Sequence, residues 1–211
     1  MPFNTKNKLP LSFYQEKNVV LIAQQLLGKI LVTQFNNILT AARIVETEAY
    51  NGIVDKASHS YNNRRTKRTE IMYADGGVAY VYFCYGIHNL FNVVTHEKDN
   101  PQAVLIRAAE PLVGIETMLE RCNKASLDNT LTKGPGNVSK ALGISTQHTG
   151  INLDADEIFI VDDGYKVTTA NVITTPRIGV AYAKEDALLP YRYFIKNNKY
   201  VSGKKSDNIS L

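Results

Sequence analysis

The chain contains no tryptophan, only two cysteines and no long hydrophobic run among its 211 residues. The longest strictly apolar runs have about five residues, such as Val19–Ala23, so no segment is predicted to cross a bilayer. The N-terminus has no apolar region of the kind that signal peptides carry. Cys84 and Cys122 lie far apart, without a CxxC motif or a His at metal-ligand spacing. We therefore expect reduced thiols in an intracellular protein.

The composition is that of an ordinary globular protein, with 44% hydrophobic and 21% charged residues. These values exclude wholesale disorder and a coiled coil, and the length permits a substantial core without disulfides or a structural metal. The chain has no internal repeat and no low-complexity linker. We therefore predict one domain over residues 1–211, with frayed polar ends at 1–9 and 202–211.

The net charge is only +4, but the charged residues are clustered. Arg64-Arg65-Thr66-Lys67-Arg68 has four cations in five positions, and Tyr191–Ser206 contains five more cations and no acid. The opposite bias falls in Asp154–Asp163, which carries five acids. This separation predicts one basic face on the protein, and two solvated basic loops are the alternative.

Local patterns predict an α+β fold built on a mainly antiparallel sheet. A capping box at Ser12 and Gln15 begins a helix that ends at Gly28. Alternation, apolar runs and turn residues predict extended segments at Ile30–Phe35, Leu39–Tyr50, Val78–Tyr85, Leu90–Thr95, Ala103–Ala108, Arg177–Tyr182 and Tyr191–Ile195. Two further helices are expected at Pro111–Cys122 and Val138–Leu142. The strands around Gly86 follow each other closely, which predicts a β-hairpin there.

A short polar run ends the second predicted strand: Glu46-Thr47-Glu48-Ala49-Tyr50. Side chains alternate along a strand, so Glu46, Glu48 and Tyr50 share one face. The preceding part of the strand, Arg43-Ile44-Val45, is mainly apolar. Three large polar or aromatic side chains in line at its end therefore suggest a solvated site rather than core. The alternative is an edge strand with a solvated acidic face.

Three tyrosines occur in the next strand and turn, at Tyr80, Tyr82 and Tyr85. Tyrosines in strands often serve only as half-buried packing residues. Tyr85, however, immediately precedes the glycine of the predicted hairpin tip, where a large ring projects outward. A basic loop, a projecting aromatic ring and an aromatic-lined carboxylate together suggest stacking on a nucleic-acid base.

Six segments in this order resemble the alkyladenine (3-methyladenine) DNA glycosylase family, and the similarity runs from about Leu9 to Ile195. The segments are Arg43–Tyr50, Ala57–Ser60, Val81–Gly86, Asn92-Val93, Leu105–Pro111 and Lys133–Gly136. Each motif alone is weak, whereas all six in order are specific.

The resemblance implies a monofunctional DNA glycosylase of base excision repair. Such an enzyme flips a damaged purine out of duplex DNA and hydrolyses its N-glycosidic bond with water. It also implies a single compact domain around a curved, mainly antiparallel β-sheet with flanking helices and a protruding β-hairpin. The expected partner is double-stranded DNA containing damaged purines, with no cofactor, metal or membrane. We expect an intracellular monomer, located in the cytoplasm or nucleoid if the source is bacterial. The preferred lesion stays open among 3-methyladenine, 7-methylguanine, ethenoadenine and hypoxanthine.

The same resemblance implies roles for individual residues. Glu48 resembles the carboxylate that activates the water, and Arg107 resembles the residue that helps to hold it. Asn92 resembles the residue that collides with the 2-amino group of guanine. The other residues of the implied base pocket are Tyr50, Ala57, His59 and Tyr82.

DNA contacts outside the pocket are implied in the same way. Tyr85 resembles the residue that wedges into the minor groove, with Ile87 beside it. Ile87-His88 departs from the pair found in some relatives, which leaves its effect on lesion search open. The cations expected to contact the DNA backbone are Arg64, Arg65, Lys67, Arg68, Lys133 and Lys140.

Two other functions are compatible with parts of the sequence. A hydrolase of small glycosides or nucleosides would use Glu46 and Glu48 as paired acid and base. Their spacing gives ~7 Å along one strand face, however, rather than two carboxylates on opposite sides of a bond. A non-catalytic nucleic-acid-binding module explains the tyrosines and cations but leaves Glu46, Glu48 and Arg107 without a role.

Overall fold

Eight strands form one curled sheet in the computed structural model, which describes residues 5–203 of the chain. The strands are β1 (Ile30–Phe35), β2 (Ile38–Tyr50), β3 (Ala79–Cys84), β4 (His88–Thr95), β5 (Gln102–Val113), β6 (Ile158–Val161), β7 (Val172–Thr175) and β8 (Arg192–Ile195). Six of them follow the order β3-β4-β5-β2-β1-β6, while β8 pairs with both β2 and β7. Every pairing in the described part is antiparallel. The predicted α+β class and antiparallel sheet are confirmed.

The long strand β2 lies in the centre of the sheet. It pairs with β5 along one edge, and its other edge is shared by β1 and then β8. The register between β2 and β5 shifts between Ile44 and Glu46 and again between Glu46 and Thr47. These irregularities bend the two strands at the acidic run. The alternative of an edge strand with a solvated acidic face is therefore wrong.

The predicted hairpin joins β3 to β4. Cys84 pairs with His88, and Tyr85-Gly86-Ile87 forms the three-residue tip. Tyr85 and Gly86 both adopt positive φ, of 52° and 71°. Only Gly adopts this conformation without a steric cost, which explains why a glycine occupies the turn.

Between residues 5 and 203, four short α-helices flank the sheet: α1 (Leu11–Tyr14), α2 (Val19–Gln25), α3 (Ile115–Cys122) and α4 (Pro135–Leu142). α2 packs on β2, and α4 packs on β4 and β5. The main core lies between these helices and one face of the sheet, and it contains Ile22, Leu26, Phe91, Ile106 and Leu142. The opposite face carries the polar groups described below.

The first helix does not begin at the predicted capping box. The side chain of Asn18 caps α2 by accepting hydrogen bonds from the backbone N–H groups of Val20 and Leu21. Ser12 lies in the separate short helix α1 instead. A capping asparagine just before the apolar run is an equally strong start signal, and it is the one that the fold uses.

The predicted helix at Pro111–Cys122 also begins too early. β5 continues through Pro111 to Val113, and Gly114 at φ 73° separates it from α3. By contrast, α4 begins at Pro135, earlier than the predicted Val138. Proline is favoured in the first turn of a helix because a backbone N–H there has no partner within the helix, so its absence costs nothing.

The acidic stretch and the C-terminal third were the least predictable parts. Ile158–Val161 and Val172–Thr175 are strands that the sequence did not indicate. Arg177–Tyr182, predicted as extended, is not a strand, and a 3-10 segment covers Ala181–Leu188. Asp156, Asp162 and Asp163 in the acidic stretch pair with the cations Lys8, Lys29 and Arg43.

The inner ends of the two predicted tails, Leu9 and Ser202, are packed against the rest of the chain. The backbone N–H of Leu9 donates to Ile160, and the Leu9 side chain is buried. Val201 and Ser202 are buried as well. The rest of the predicted tails, 1–4 and 204–211, lie outside the described residues. Between residues 5 and 203, no helix is long and apolar enough to span a membrane.

Candidate active site

An open cleft of about 960 Å³ lies on the sheet face opposite the helices. Its walls come from the loop that follows β2, the β3–β4 hairpin, the N-terminus of α4 and the segment after β7. The lining includes five cations, namely Lys56, Arg64, Arg68, Arg107 and Lys133, and no carboxylate among the described residues. The cleft is therefore basic, but of the two clusters that predicted a basic face only Arg64 and Arg68 line it.

Glu48 lies directly behind the cleft wall and is fully buried. Its Oε2 accepts a hydrogen bond of 2.9 Å from the Tyr50 hydroxyl, and its Oε1 accepts one of 2.8 Å from the backbone N–H of Ile178. The Nη1 of Arg107 lies 3.4 Å from Oε1. Tyr50, Ile178 and Arg107 all line the cleft, so they connect the buried carboxylate to the open site.

Glu46 shares this sheet face but has different partners. Its carboxylate accepts hydrogen bonds from Arg192 at 2.6 Å and from the backbone N–H of Ser202 at 2.6 Å. The Ser202 hydroxyl donates a third at 3.0 Å. Glu46 is fully buried and does not line the cleft. The predicted common face of Glu46 and Glu48 exists, but only Glu48 is bonded to cleft-lining groups on both of its oxygens.

Arg107 lies between the two carboxylates. Its Nε is 3.3 Å from Glu46 Oε1, and its Nη1 is 3.4 Å from Glu48 Oε1. Burial lowers the pKa of Arg107, but the charges of Glu48 and Glu46 outweigh it, and the pKa lies above its ordinary value. The guanidinium therefore stays charged beside Glu48.

Tyr50 is fixed from two sides. Its hydroxyl donates to Glu48, and the guanidinium of Arg177 lies 4.8 Å from its ring centroid. Burial and then the charge of Glu48 raise the pKa of Tyr50 well above its ordinary value. The phenol therefore remains protonated and serves as a donor.

His59 and two tyrosines form an aromatic cluster on one wall. The His59 ring is edge-on to Tyr82 at 4.6 Å, and its Nδ1 lies 2.9 Å from the Tyr80 hydroxyl. The Arg68 guanidinium lies 5.0 Å from the Tyr82 ring. Burial first, and then the charges of Arg68 and Arg64, lower the pKa of His59 to about 4. The imidazole is therefore neutral at pH 7.

Ala57 and Asn92 lie deeper than the other predicted pocket residues. Both line a small cavity of about 30 Å³ beside Tyr50, His59 and Tyr82, and neither lines the open cleft. The Asn92 amide nitrogen donates to two backbone carbonyls, which fixes its orientation. The structure thus brings all five predicted pocket residues together.

The hairpin tip projects into solvent. Tyr85 is 85% exposed and Ile87 is 70% exposed, and Tyr85 also lines the cleft. The predicted outward projection of Tyr85 is what the structure shows.

The six predicted backbone-contacting cations do not form one group. Arg64, Arg68 and Lys133 line the cleft, whereas Arg65, Lys67 and Lys140 do not. Arg65 is bonded to Glu70 and Asp99. In the predicted C-terminal basic segment, Arg192 is buried against Glu46 and is not part of a basic surface. Lys204 and Lys205 lie outside the described residues.

Sequence reasoning missed several residues in the segment after β7. Ile178 supplies a backbone N–H to Glu48, and the Tyr182 hydroxyl donates to the backbone carbonyl of Ala57. Arg177 forms a buried, bidentate ion pair with Asp55. The only available signal was the Arg177–Tyr182 apolar pattern, which predicted a strand. In the described residues, no group of three or more His, Cys, Asp or Glu side chains is arranged to hold a metal ion.

Comparisons with known proteins agree with this site. The family described as Methylpurine-DNA glycosylase (MPG) matches residues 12–199. A protein of Desulfitobacterium hafniense is 41% identical over 204 residues, which cover 93% of this chain and 99% of that protein. A protein of Chlamydia felis is 44% identical over 194 residues, which cover 90% and 97%. Both relatives carry the name "Putative 3-methyladenine DNA glycosylase". The chain therefore belongs to the methylpurine-DNA glycosylase family, DNA repair hydrolases that act on N-glycosyl bonds, as the six motifs predicted.

Proposed function

We propose that this DNA glycosylase flips a damaged purine out of duplex DNA into the cleft and releases it with a water molecule that Glu48 activates. One observation carries the proposal. A buried carboxylate accepts hydrogen bonds from Tyr50 and Ile178 and forms an ion pair with Arg107, and all three residues line a cleft with aromatic walls and cations. Family membership argues against a small-molecule hydrolase and against a non-catalytic binding module. Glu46 is bonded to Arg192 and Ser202 and does not line the cleft, so it is not placed to act as the second carboxylate of a paired acid–base mechanism.

Glu48 retains the capacity to accept a proton from water. A carboxylate accepts about four hydrogen bonds. Among the described residues, Oε2 accepts one, from Tyr50, so an acceptor site on this oxygen remains for water. Bond cleavage passes through an oxocarbenium-like sugar, and a carboxylate beneath it both stabilises the cation and receives the proton. Arg107 helps to hold the water from the other side of the carboxylate.

The aromatic walls suit a purine that carries positive charge. Electron-deficient rings stack well on tyrosine faces, here Tyr50 and Tyr82, without a lesion-specific hydrogen bond. His59 adds a third ring, and because it is neutral at pH 7 it does not repel a cationic base. Asn92, fixed below them by its two backbone hydrogen bonds, disfavours the 2-amino group that guanine and its derivatives carry.

The rim supplies the DNA-binding surface. Arg64, Arg68 and Lys133 contact backbone phosphates, which position the duplex without reading its sequence. Tyr85, with Ile87 beside it, replaces the stacking that the flipped base gives up. A DNA substrate supports an intracellular location, and we propose that the enzyme acts as a monomer.

Base release from defined lesions tests this proposal directly. Duplexes with a single 3-methyladenine, 7-methylguanine, ethenoadenine or hypoxanthine are incubated with enzyme and then cleaved with alkali at abasic sites. We expect release from at least one lesion duplex, none from an undamaged duplex, and strand cleavage only after alkali. Release of none of these bases, or strand cleavage without alkali, would contradict it.

A further inference from the structure

A serine near the C-terminal end of the described chain contacts both a buried carboxylate and the arginine of the site. The Ser202 side chain is packed among buried residues, and Ser202 as a whole is 5% exposed. Its hydroxyl oxygen accepts a hydrogen bond of 2.9 Å from Arg107 Nε. The same hydroxyl donates one of 3.0 Å to Glu46 Oε1. A serine hydroxyl has one donor and two acceptor positions, so both bonds form at once and fix its orientation.

Glu46 in turn holds Ser202 in place. The backbone N–H of Ser202 donates to Glu46 Oε2 at 2.6 Å, and Arg192 donates both to Glu46 and to the Ser202 carbonyl. Ser202 is thus bonded through its N–H, its carbonyl and its hydroxyl. A group fixed at three points is a rigid anchor for the arginine that it contacts.

Arg107 depends on this anchor for its position beside Glu48. Its Nε is bonded to Ser202, while its Nη1 lies 3.4 Å from Glu48. A guanidinium is planar, so fixing Nε fixes the direction in which Nη1 points. Arg107 also lies on β5 at the register irregularity opposite Glu46, where the regular ladder does not define the side-chain direction.

The geometry points to Ser202 as a positioning residue for N-glycosyl bond hydrolysis: its hydroxyl holds Arg107 against Glu48 through a relay that begins at Glu46. The inference rests on the proposed role of Glu48 and adds to it a function for the buried carboxylate two residues earlier. Glu46 is then neither a catalytic partner nor a solvated charge. It is the fixed point from which the arginine is aligned.

Two conservative variants of the full chain separate positioning from a purely structural role. In Ser202→Ala the hydroxyl is removed but the backbone bonds remain. We expect the single-turnover rate of excision on a lesion duplex to fall about tenfold, because one hydrogen bond to a charged group is removed. The dissociation constant for the same duplex should change less than threefold. Ser202→Thr keeps the hydroxyl and should restore the rate to within threefold, while Ser126→Ala, at an exposed serine, should leave it unchanged.

A double-variant cycle tests whether Ser202 acts through Arg107. In an Arg107→Gln background, Ser202→Ala should lower the rate by less than threefold further. A wild-type excision rate in Ser202→Ala would overturn the inference. So would a loss of rate in Ser202→Ala that Ser202→Thr does not restore. So would an undiminished loss when Ser202→Ala is made in the Arg107→Gln background. The excision rate of Glu48→Gln is measured in parallel. If this variant retains excision, the proposed function itself fails. If it loses excision while Ser202→Ala has the wild-type rate, only the inference about Ser202 fails.

Discussion

The Tyr50 hydroxyl donates a hydrogen bond of 2.9 Å to Oε2 of Glu48. The two residues are neighbours on the same face of β2, so the strand itself sets their separation. Tyr50 thereby joins two parts of the site, since its ring belongs to the base pocket and its hydroxyl orients the carboxylate.

Removing only this hydroxyl should slow the chemical step. In Tyr50→Phe, the ring can still stack on a base, but Glu48 loses one charge-assisted hydrogen bond, which is worth about 1.5–3 kcal/mol. We expect the single-turnover excision rate to fall tenfold or more, with lesion-duplex affinity nearly unchanged. Tyr82→Phe is the matched control, because no described residue is bonded to its hydroxyl, and its rate should stay within threefold. Equal losses in both variants would contradict the role given to the Tyr50 hydroxyl.

The lowered pKa of His59 predicts that this residue makes the free energy of unfolding fall at acid pH. An unfolded chain protonates this imidazole below about pH 6.5, whereas the folded protein does so only near pH 4. The unfolded state therefore binds more protons within that window, and the free energy of unfolding falls as pH drops through it. Urea titrations at pH 7 and pH 4.5 should show a smaller loss of stability for His59→Gln than for the wild type. The same loss in both proteins would mean that His59 titrates normally in the folded state.

The cations that line the cleft should contribute to DNA binding, whereas the cations outside it should not. Replacing Arg64 and Lys133 by Gln should weaken binding to damaged and undamaged duplexes alike, because phosphate contacts carry no lesion information. The slope of log affinity against log salt should flatten by about 0.9 for each phosphate that the protein no longer neutralises. The matched control replaces Arg65 and Lys140 and should leave the slope unchanged. A flatter slope in the control pair would place the DNA backbone on another face.

The exposed ring of Tyr85 at the hairpin tip should assist base flipping and contribute little to the stability of the fold. Tyr85→Ser should keep the melting temperature within the range of ordinary surface substitutions. Excision should fall most for lesions that are stably paired and least for those opposite a mismatch, where unstacking costs less. An equal loss whatever the opposing base would show that Tyr85 is not the wedge, and Ile87 would then be the next residue to substitute.

Local sequence patterns predicted the parts of the fold that local physics determines. β1 and β2 follow from alternation and turn residues, and the hairpin follows from Gly86 between two apolar strands. The Glu46, Glu48 and Tyr50 face also follows from the strand period alone. β6 was missed because its four apolar residues lie between acids, which suggested a solvated segment.

The site residues that the sequence patterns did not predict make contacts with residues distant in sequence. Ile178 donates to Glu48 across 130 positions, and Ser202 reaches Glu46 across 156. No local pattern marks a backbone N–H as a ligand of a carboxylate. The same limit explains why the strand pattern did not distinguish Glu46 from Glu48, and only the family resemblance singled out Glu48.

The excision rate of Glu48→Gln tests the central claim most directly. The amide keeps the shape of the side chain but cannot accept the proton from water, and removing a general base typically costs 10²–10⁴-fold. We predict that binding to a lesion duplex persists while the single-turnover rate falls by ~10³-fold or more. A rate within tenfold of the wild type would contradict the account and assign the catalytic carboxylate elsewhere.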